Sequence, residues 1–89
     1  MPVVSFPHSV TFATAPQVLD SLKPNIGGGE HELDLGGCSE FDSSLIAVVL
    51  ELTRRAQARN GSCRVRNAPP NLRKLAALYG VDALVFGPA

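Results

Sequence analysis

The sequence predicts a small α/β domain in which helices pack on one face of a largely parallel sheet. Three observations predict this class. Polar and apolar residues alternate from Glu30 to Leu35, a helical apolar pattern runs from Ser43 to about Arg59, and the strand-then-helix order repeats after residue 60. Right-handed crossovers would place both long helices on one side of the sheet. With 89 residues, 45% of them apolar, residues 1–89 are expected to form one domain with one core.

The N-terminal segment predicts two short strands followed by a helix. Val3–Phe6 and Ser9–Phe12 are β-branched and aromatic runs, and Pro7 between them favours a hairpin turn. Thr14 is suited to cap a short helix that continues to about Leu22.

The stretch from Leu33 to Leu52 predicts a strand, a loop and then the main helix of the chain. Asp42 or Ser43 is well suited to be the N-cap, and Asn60-Gly61 is a strong stop signal. An apolar stripe follows helical spacing through the segment, at Leu45, Val48, Val49, Leu52 and Ala56.

After this helix the chain predicts a strand, a second long helix and a last strand. Ser62–Arg66 is the strand, with Cys63 and Val65 expected to face inward. The helix begins near Pro69-Pro70, because proline is tolerated in a first turn. Its predicted buried stripe is Leu72, Leu75, Ala76 and Tyr79, and Ala83–Phe86 is predicted as the final strand.

Charge and hydropathy limit the classes of partner that the chain is expected to bind. The formal net charge is zero, but seven of the eight basic residues lie in 53–89, so an arginine-rich face could meet an acidic partner. Nucleic acid is not expected, since the net charge is not positive and aromatics do not interleave with the arginines. No apolar run reaches the ~18–20 residues of a membrane span and no signal peptide is recognisable, so the expected location is cytoplasmic.

The chain carries no recognisable catalytic motif. There is no GxSxG elbow, Walker loop, dinucleotide fingerprint or zinc spacing, so no catalytic residue, cofactor or metal is predicted. His8 and His31 are expected at the surface, and Cys38 and Cys63 are expected to be partly buried free thiols. The residues alone leave three roles open for Ser43: a helix cap, a phosphate acceptor at a helix N-terminus, or part of a docking surface.

The segment LDLGGCSEFDSSLIAVVLEL resembles the signature of STAS domains, the sulfate-transporter and anti-sigma-factor-antagonist family. That signature is an aliphatic strand, a short loop and an Asp-Ser/Thr-Ser/Ala-Gly-Leu helix start, and it is matched by Leu33-Asp34-Leu35 and Asp42-Ser43-Ser44. The later run RVRNAPPNLRKLAALYGVDALV is similar to the family's next strand, helix and final strand. Its Leu-Ala-x-Leu-Tyr-Gly-Val is similar to the small STAS subunits of Mla-type ABC transporters, which maintain lipid asymmetry.

The resemblance implies a STAS-type fold, a small mixed β-sheet of about four to five strands with helices mainly on one face. It implies a non-catalytic protein–protein interaction module that works without a cofactor. One reading is the accessory subunit of a phospholipid-trafficking ABC transporter, bound to its ATPase at the inner face of the membrane. The alternative is an anti-sigma factor antagonist that an anti-sigma kinase phosphorylates on Ser43. Both interpretations leave it undecided whether the chain forms a homodimer.

The resemblance also implies the site residues. Ser43 matches the family's phosphoacceptor or partner-docking position, with Asp42, Ser44 and Leu45 beside it. The family usually has glycine where this chain has Leu45, and this bulk is expected to alter the docking geometry. The expected partner face adds charged residues around the two long helices, namely Glu40, Arg54, Arg55, Arg73 and Lys74.

Overall fold

In the computed structural model, which describes residues 2–87, five short strands form two small parallel sheets. Residues 1, 88 and 89 of the predicted domain lie outside this range. The larger sheet has the order β1-β3-β5 and the smaller one pairs β2 with β4. The strands are β1 (Val3–Ser5), β2 (Ser9–Val10), β3 (Glu30–Asp34), β4 (Glu40–Phe41) and β5 (Ser62–Arg66).

Four α-helices pack against the inner face of these sheets. They are α1 (Ala15–Leu22), α2 (Ser44–Gln57), α3 (Pro70–Leu78) and α4 (Asp82–Phe86), and a 3₁₀ turn (Lys23–Asn25) follows α1. Apolar residues from the strands and from all four helices meet in one core. The predicted α/β class, with helices on one face of a small sheet, is therefore confirmed. In the part of the chain that the structure describes, no helix has the length and hydropathy needed to cross a bilayer.

The core lies between α2 and the sheet, where the apolar stripe of α2 predicts it. Leu45, Val49 and Leu52 are fully buried, and so is Leu33 on the central strand. In the parallel register, Leu33 lies beside Val4 of β1 and Val65 of β5. The central strand therefore supplies the middle of the core, and α2 packs across it.

The turn after α2 requires glycine at one position. Asn60 has a positive φ of 61°, which ends the helix, and the N–H of Gly61 donates to Ala56 O at 2.8 Å. A Cβ on Gly61 would overlap the carbonyl oxygen of Gly29. The two segments that lead into β3 and β5 therefore approach more closely than any side chain would allow.

The predicted N-terminal hairpin is wrong. β1 pairs in parallel with β3, while β2 pairs in parallel with β4, so the two runs belong to different sheets. Pro7 and His8 lie between them, and His8 O accepts hydrogen bonds from Ser39 N–H and Glu40 N–H at 3.0 and 3.1 Å. These bonds draw the chain toward β4 instead of folding it back on β1.

The predicted final strand is also wrong, because Asp82–Phe86 forms α4. Gly80 has a φ of 71° and turns the chain back after α3. Val85 then packs in the core with an exposed fraction of 6%, while Leu84 is 66% exposed. An apolar run this short has no period that distinguishes a strand from a helical turn.

Two side chains differ in burial from the prediction: His31 is buried and Tyr79 is exposed. His31 is 4% exposed, and one ring nitrogen lies 3.0 Å from Gly27 O. It occupies the inner face of β3 beside Cys63, so the strand alternation buries it. Tyr79 is 58% exposed because α3 ends at Leu78, and the tyrosine lies beyond the last buried turn.

Candidate functional site

The start of α2 is held by Asp42 and not by Ser43. Oδ1 of Asp42 accepts a hydrogen bond from the N–H of Ser44 at 2.9 Å and another from the Ser44 hydroxyl. Oδ2 accepts the N–H of Phe12 at 2.9 Å. Of the two N-cap candidates, Asp42 therefore satisfies a free N–H of the first turn, and it also binds a segment thirty residues earlier.

The hydroxyl of Ser43 is left without a structural role. Ser43 has helical backbone angles and makes no side-chain capping bond. Within residues 2–87 its Oγ makes no hydrogen bond, although the residue is half-buried. The hydroxyl is therefore free to bond with a ligand or a partner protein at the positive end of the α2 dipole.

The carboxylate of Asp42 is held in its charged form. The hydrogen bond from the Ser44 hydroxyl lowers the pKa of Asp42 below its ordinary value of 3.8, and the N–H groups of Phe12 and Ser44 act in the same direction. These bonds outweigh desolvation, which raises the pKa. A fixed negative charge therefore lies directly beside the free Ser43 hydroxyl.

Ser43 and Tyr79 together separate two hollows in the surface. The first hollow has a volume of ≈ 460 Å³ and the second a volume of ≈ 300 Å³, and both residues line both of them. The first hollow is polar at one end, with Ser39, Phe41, Asp42, Ser43, Asn71, Leu75 and Tyr79 around it. The second is mostly apolar, with Ser43, Ile46, Ala47, Leu50, Tyr79 and Val81 around it.

A third hollow lies on the other side of α2. It has a volume of ≈ 330 Å³ between α1 and α2, and it shares Ala47 with the second hollow. Its lining is Phe12, Ala15, Pro16, Leu19, Ser44, Ala47, Val48 and Glu51. Phe12 is 71% exposed at its rim. The first two turns of α2 thus form a ridge between apolar hollows, with an exposed aromatic side chain on each side.

Leu45 does not belong to this surface. Its side chain is fully buried, and Ser44 is 5% exposed. Leu45 points from α2 into the core, whereas Ser44 donates to Asp42 and lines the third hollow. Leu45 therefore does not line the surface around Ser43, and its effect on the docking geometry stays a prediction. In this chain the leucine fills the core.

The charged residues predicted for a partner face are dispersed. Arg54 lies about 16 Å along α2 from Ser43 and pairs with Glu51 at 2.9 Å. Arg55 is half-buried, and its Nε donates to Lys23 O at 3.1 Å, which fastens α2 to the turn after α1. The remaining three are exposed: Glu40 on β4 and, on α3, Lys74 and Arg73, whose guanidinium lies 4.4 Å from the centre of the Phe86 ring.

The structure brings one serine and one histidine together, at a place the sequence did not indicate. Ser39 Oγ lies 2.9 Å from His8 Nδ1, and both side chains are exposed. A serine nucleophile also needs a group that orients the histidine and donors for an oxyanion. Among the described residues no further hydrogen bond holds the His8 ring, so this pair serves to join the β1–β2 connection to the loop before β4.

The thiols and the possible metal ligands offer no reactive cluster. Burial raises the pKa of both Cys38 and Cys63, which disfavours the thiolate that nucleophilic chemistry needs. Both thiols are free. In residues 2–87 no three histidine, cysteine or acidic side chains are grouped as metal ligands would be.

Three residues of this surface escaped prediction from the sequence. The sequence predicts Phe12 in a strand and Tyr79 in the core, and it predicts no role for Asn71 at this surface. A signal existed for Tyr79, which directly precedes Gly80 at the end of its helix, where a buried stripe runs out. Phe12 and Asn71 reach the site only through tertiary packing.

The chain matches a known protein family over nearly its whole length. The family model described as "Mlab, STAS domain" matches residues 2–86. No curated protein matches the chain well enough to count as a relative. STAS domains generally act as non-catalytic binding or regulatory modules. A match of this length, together with the α/β fold and the Asp-Ser-Ser start of α2, shows that the chain belongs to the STAS domain family.

Proposed function

We propose that this STAS domain is a non-catalytic accessory subunit of a phospholipid-trafficking ABC transporter and binds the transporter's ATPase at the cytoplasmic face of the membrane. The family description, which names Mlab, is consistent with the resemblance to Mla-type transporter subunits. The observation that carries the proposal is the Ser43 hydroxyl, which has no bond within the described residues and lies between two hollows.

The chemistry of the surface fits a protein partner. Interfaces are anchored by aromatic side chains at positions that become buried on binding. Phe12 and Tyr79 are 71% and 58% exposed, and they lie on either side of the first two turns of α2. A partner that covers both aromatics would bury the Ser43 hydroxyl between them, where one hydrogen bond fixes the orientation of the complex.

Alanine substitution of an anchor tests this surface. The chain would be titrated with the ATPase subunit of a phospholipid-transporting ABC system from the same host, and the Kd measured by calorimetry. Tyr79→Ala should raise the Kd by at least about tenfold, as loss of an interface anchor does. Leu84→Ala is the matched control, because Leu84 is a comparably exposed apolar residue outside the three hollows. An equal effect of both variants, or no binding by the wild type, would contradict the proposal.

One observation favours a second candidate, an anti-sigma factor antagonist that is switched by phosphorylation of Ser43. The free hydroxyl lies at the positive end of α2, which stabilises a phosphate. The charged Asp42 is its neighbour, and no lysine or arginine lines the first hollow. A phosphate there would repel the carboxylate that holds Phe12, so modification would alter the docking surface.

Kinase treatment tests the second candidate. Incubation with an anti-sigma kinase and ATP should add one phosphate, seen as a single mass increment. Ser43→Ala should abolish that increment, while Ser44→Ala should retain it, because Ser44 is buried. Recovery of such a kinase from the host, with no ABC ATPase, would favour this candidate over the transporter subunit.

A further inference from the structure

The outer edge of β5 has backbone groups without partners. Ser62 N–H donates to Gly29 O at 2.9 Å and Arg66 O accepts from Leu35 N–H at 3.0 Å, so the even-numbered residues of β5 direct their backbone toward β3. The backbone groups of Cys63 and Val65 therefore point away from β3. Within residues 2–87 these N–H and C=O groups make no hydrogen bond, and β5 is the last strand of its sheet.

The outer face of the sheet carries charge in rows. Glu30, Glu32 and Asp34 form an acidic row on β3, and Arg64 and Arg66 form a basic row beside it on β5. Arg66 pairs with Glu32 at 2.9 Å. Arg64 is exposed and makes no salt bridge within the part of the chain that the structure describes. The basic row thus lies on the edge strand of the sheet, with one arginine that has no acidic partner among residues 2–87.

We propose that the β5 edge binds an extended acidic segment of another protein as an additional strand. The free N–H and C=O groups of Cys63 and Val65 supply the main-chain bonds of such an addition. A strand with acidic residues on the outer face would place them against Arg64 and Arg66 and continue the alternation of charged rows. Its intervening residues would be apolar, since they pack beside the half-buried Cys63 and Val65 on the inner face.

A second copy of this chain is the less suitable occupant. Antiparallel pairing of β5 with itself about Arg64 would put arginines directly opposite one another, and like charges in cross-strand pairs are destabilising. The edge uses different elements from the surface around Ser43, so the proposal does not rest on the proposed transporter or sigma-factor role.

A blocked hexapeptide of alternating glutamate and valine is the probe for this edge. Amide hydrogen exchange of the whole chain would be followed by NMR with and without the peptide at low salt. The N–H groups of Cys63 and Val65 should gain protection on binding, while that of Arg64, which already faces β3, should change little. Protection of Cys63 and Val65 in the peptide-free chain would overturn the proposal, because the edge would then be occupied by the chain itself or by a second copy.

Charge variants provide the second measurement. Arg64→Gln should raise the Kd of the peptide by about 1.5- to 5-fold, the effect expected of one cross-strand charge pair. Arg59→Gln is the matched control, since Arg59 is exposed after α2 and outside the sheet. A peptide in which lysine replaces glutamate should not bind. Equal weakening by the two arginine variants, or equal binding of the two peptides, would overturn the proposal.

Discussion

Asp42 Oδ2 accepts the N–H of Phe12 at 2.9 Å, across thirty residues of sequence. The same carboxylate accepts the N–H of Ser44 at 2.9 Å through its other oxygen. One side chain therefore fixes both the start of α2 and the segment that leads from β2 to α1. Because the free Ser43 lies directly beside it, the geometry of the candidate docking surface depends on this carboxylate.

We expect stability to fall in acid through Asp42 and Asp34. Hydrogen bonds lower the pKa of both carboxyl groups below 3.8 in the folded chain, chiefly from the Ser44 hydroxyl to Asp42 and from the Gly36 N–H to Asp34. Folding therefore favours the charged forms. This stabilisation is fully present above pH 3.8 and is lost as the pH falls below it through the folded values. Thermal unfolding between pH 7 and pH 2 would measure it.

The variant Asp42→Asn should flatten that acid dependence. Asparagine retains a side-chain oxygen for the Ser44 N–H but has no charge to lose, so only the contribution of Asp34 remains. At pH 7 its Tm should lie below that of the wild type. An acid slope as steep as that of the wild type would contradict the assignment to Asp42.

We expect the two adjacent serines to differ in their effect on folding. Ser44→Ala removes a buried hydroxyl that donates to Asp42, which should lower the free energy of unfolding by about 1–3 kcal/mol. Ser43→Ala removes a hydroxyl without a partner in the described residues and should change it by less than about 0.5 kcal/mol. Urea unfolding of both variants tests the contrast, and a larger loss for Ser43→Ala would refute the role given to Asp42.

Leu45 should act as a core residue and not as a docking residue. Its side chain is fully buried, so Leu45→Ala should destabilise the fold by about 2–5 kcal/mol. Leu78→Ala is the control, because Leu78 is 78% exposed and should cost less than about 0.5 kcal/mol. If urea unfolding showed nearly the same stability for Leu45→Ala as for the wild type, this helix face would not be packed as described.

The turn after α2 packs closely against the backbone of Gly29, and this contact predicts which glycines tolerate substitution. Gly61→Ala should destabilise the fold by about 1–3 kcal/mol, because its Cβ would overlap backbone atoms of Gly29 that cannot swing aside. A Cβ at Gly27 meets nothing within 4 Å, so Gly27→Ala serves as a control and should be neutral or slightly stabilising. Chemical denaturation of the two variants would separate them, and similar midpoints would contradict the contact.

The parts of the fold with a long, regular pattern could be predicted from the sequence. β3, α2 and β5 each carry a clear alternation or helical stripe, and their bounds agree with the structure to within about two residues. β1 and β2 are too short to specify their partners, since pairing depends on where the rest of the chain brings β3 and β4. The run at 83–86 failed for a related reason, because four apolar residues fit a strand and a helical turn equally well.

The candidate site could likewise be predicted from the sequence only in part. The cap at Asp42 can be predicted from the sequence because helix capping is a local property of a few consecutive residues, while the role of Ser43 stays a prediction that rests on the family resemblance. The exposed aromatics around them were not found, because Phe12 and Tyr79 reach α2 from distant parts of the chain. Arg55 was assigned to the surface, yet its guanidinium bonds a carbonyl that only the packing of α1 against α2 brings near.

Through its two bonds, Asp42 contacts segments on opposite sides of α2. Phe12 lies at the rim of the third hollow, and Asp42 itself lines the first. A molecule that fills the third hollow and moves Phe12 would free one oxygen of that carboxylate and so change the hydrogen-bond acceptors presented beside Ser43. Linkage then requires the reverse effect by the same factor, so that a partner bound at Ser43 would alter the affinity for whatever enters between α1 and α2.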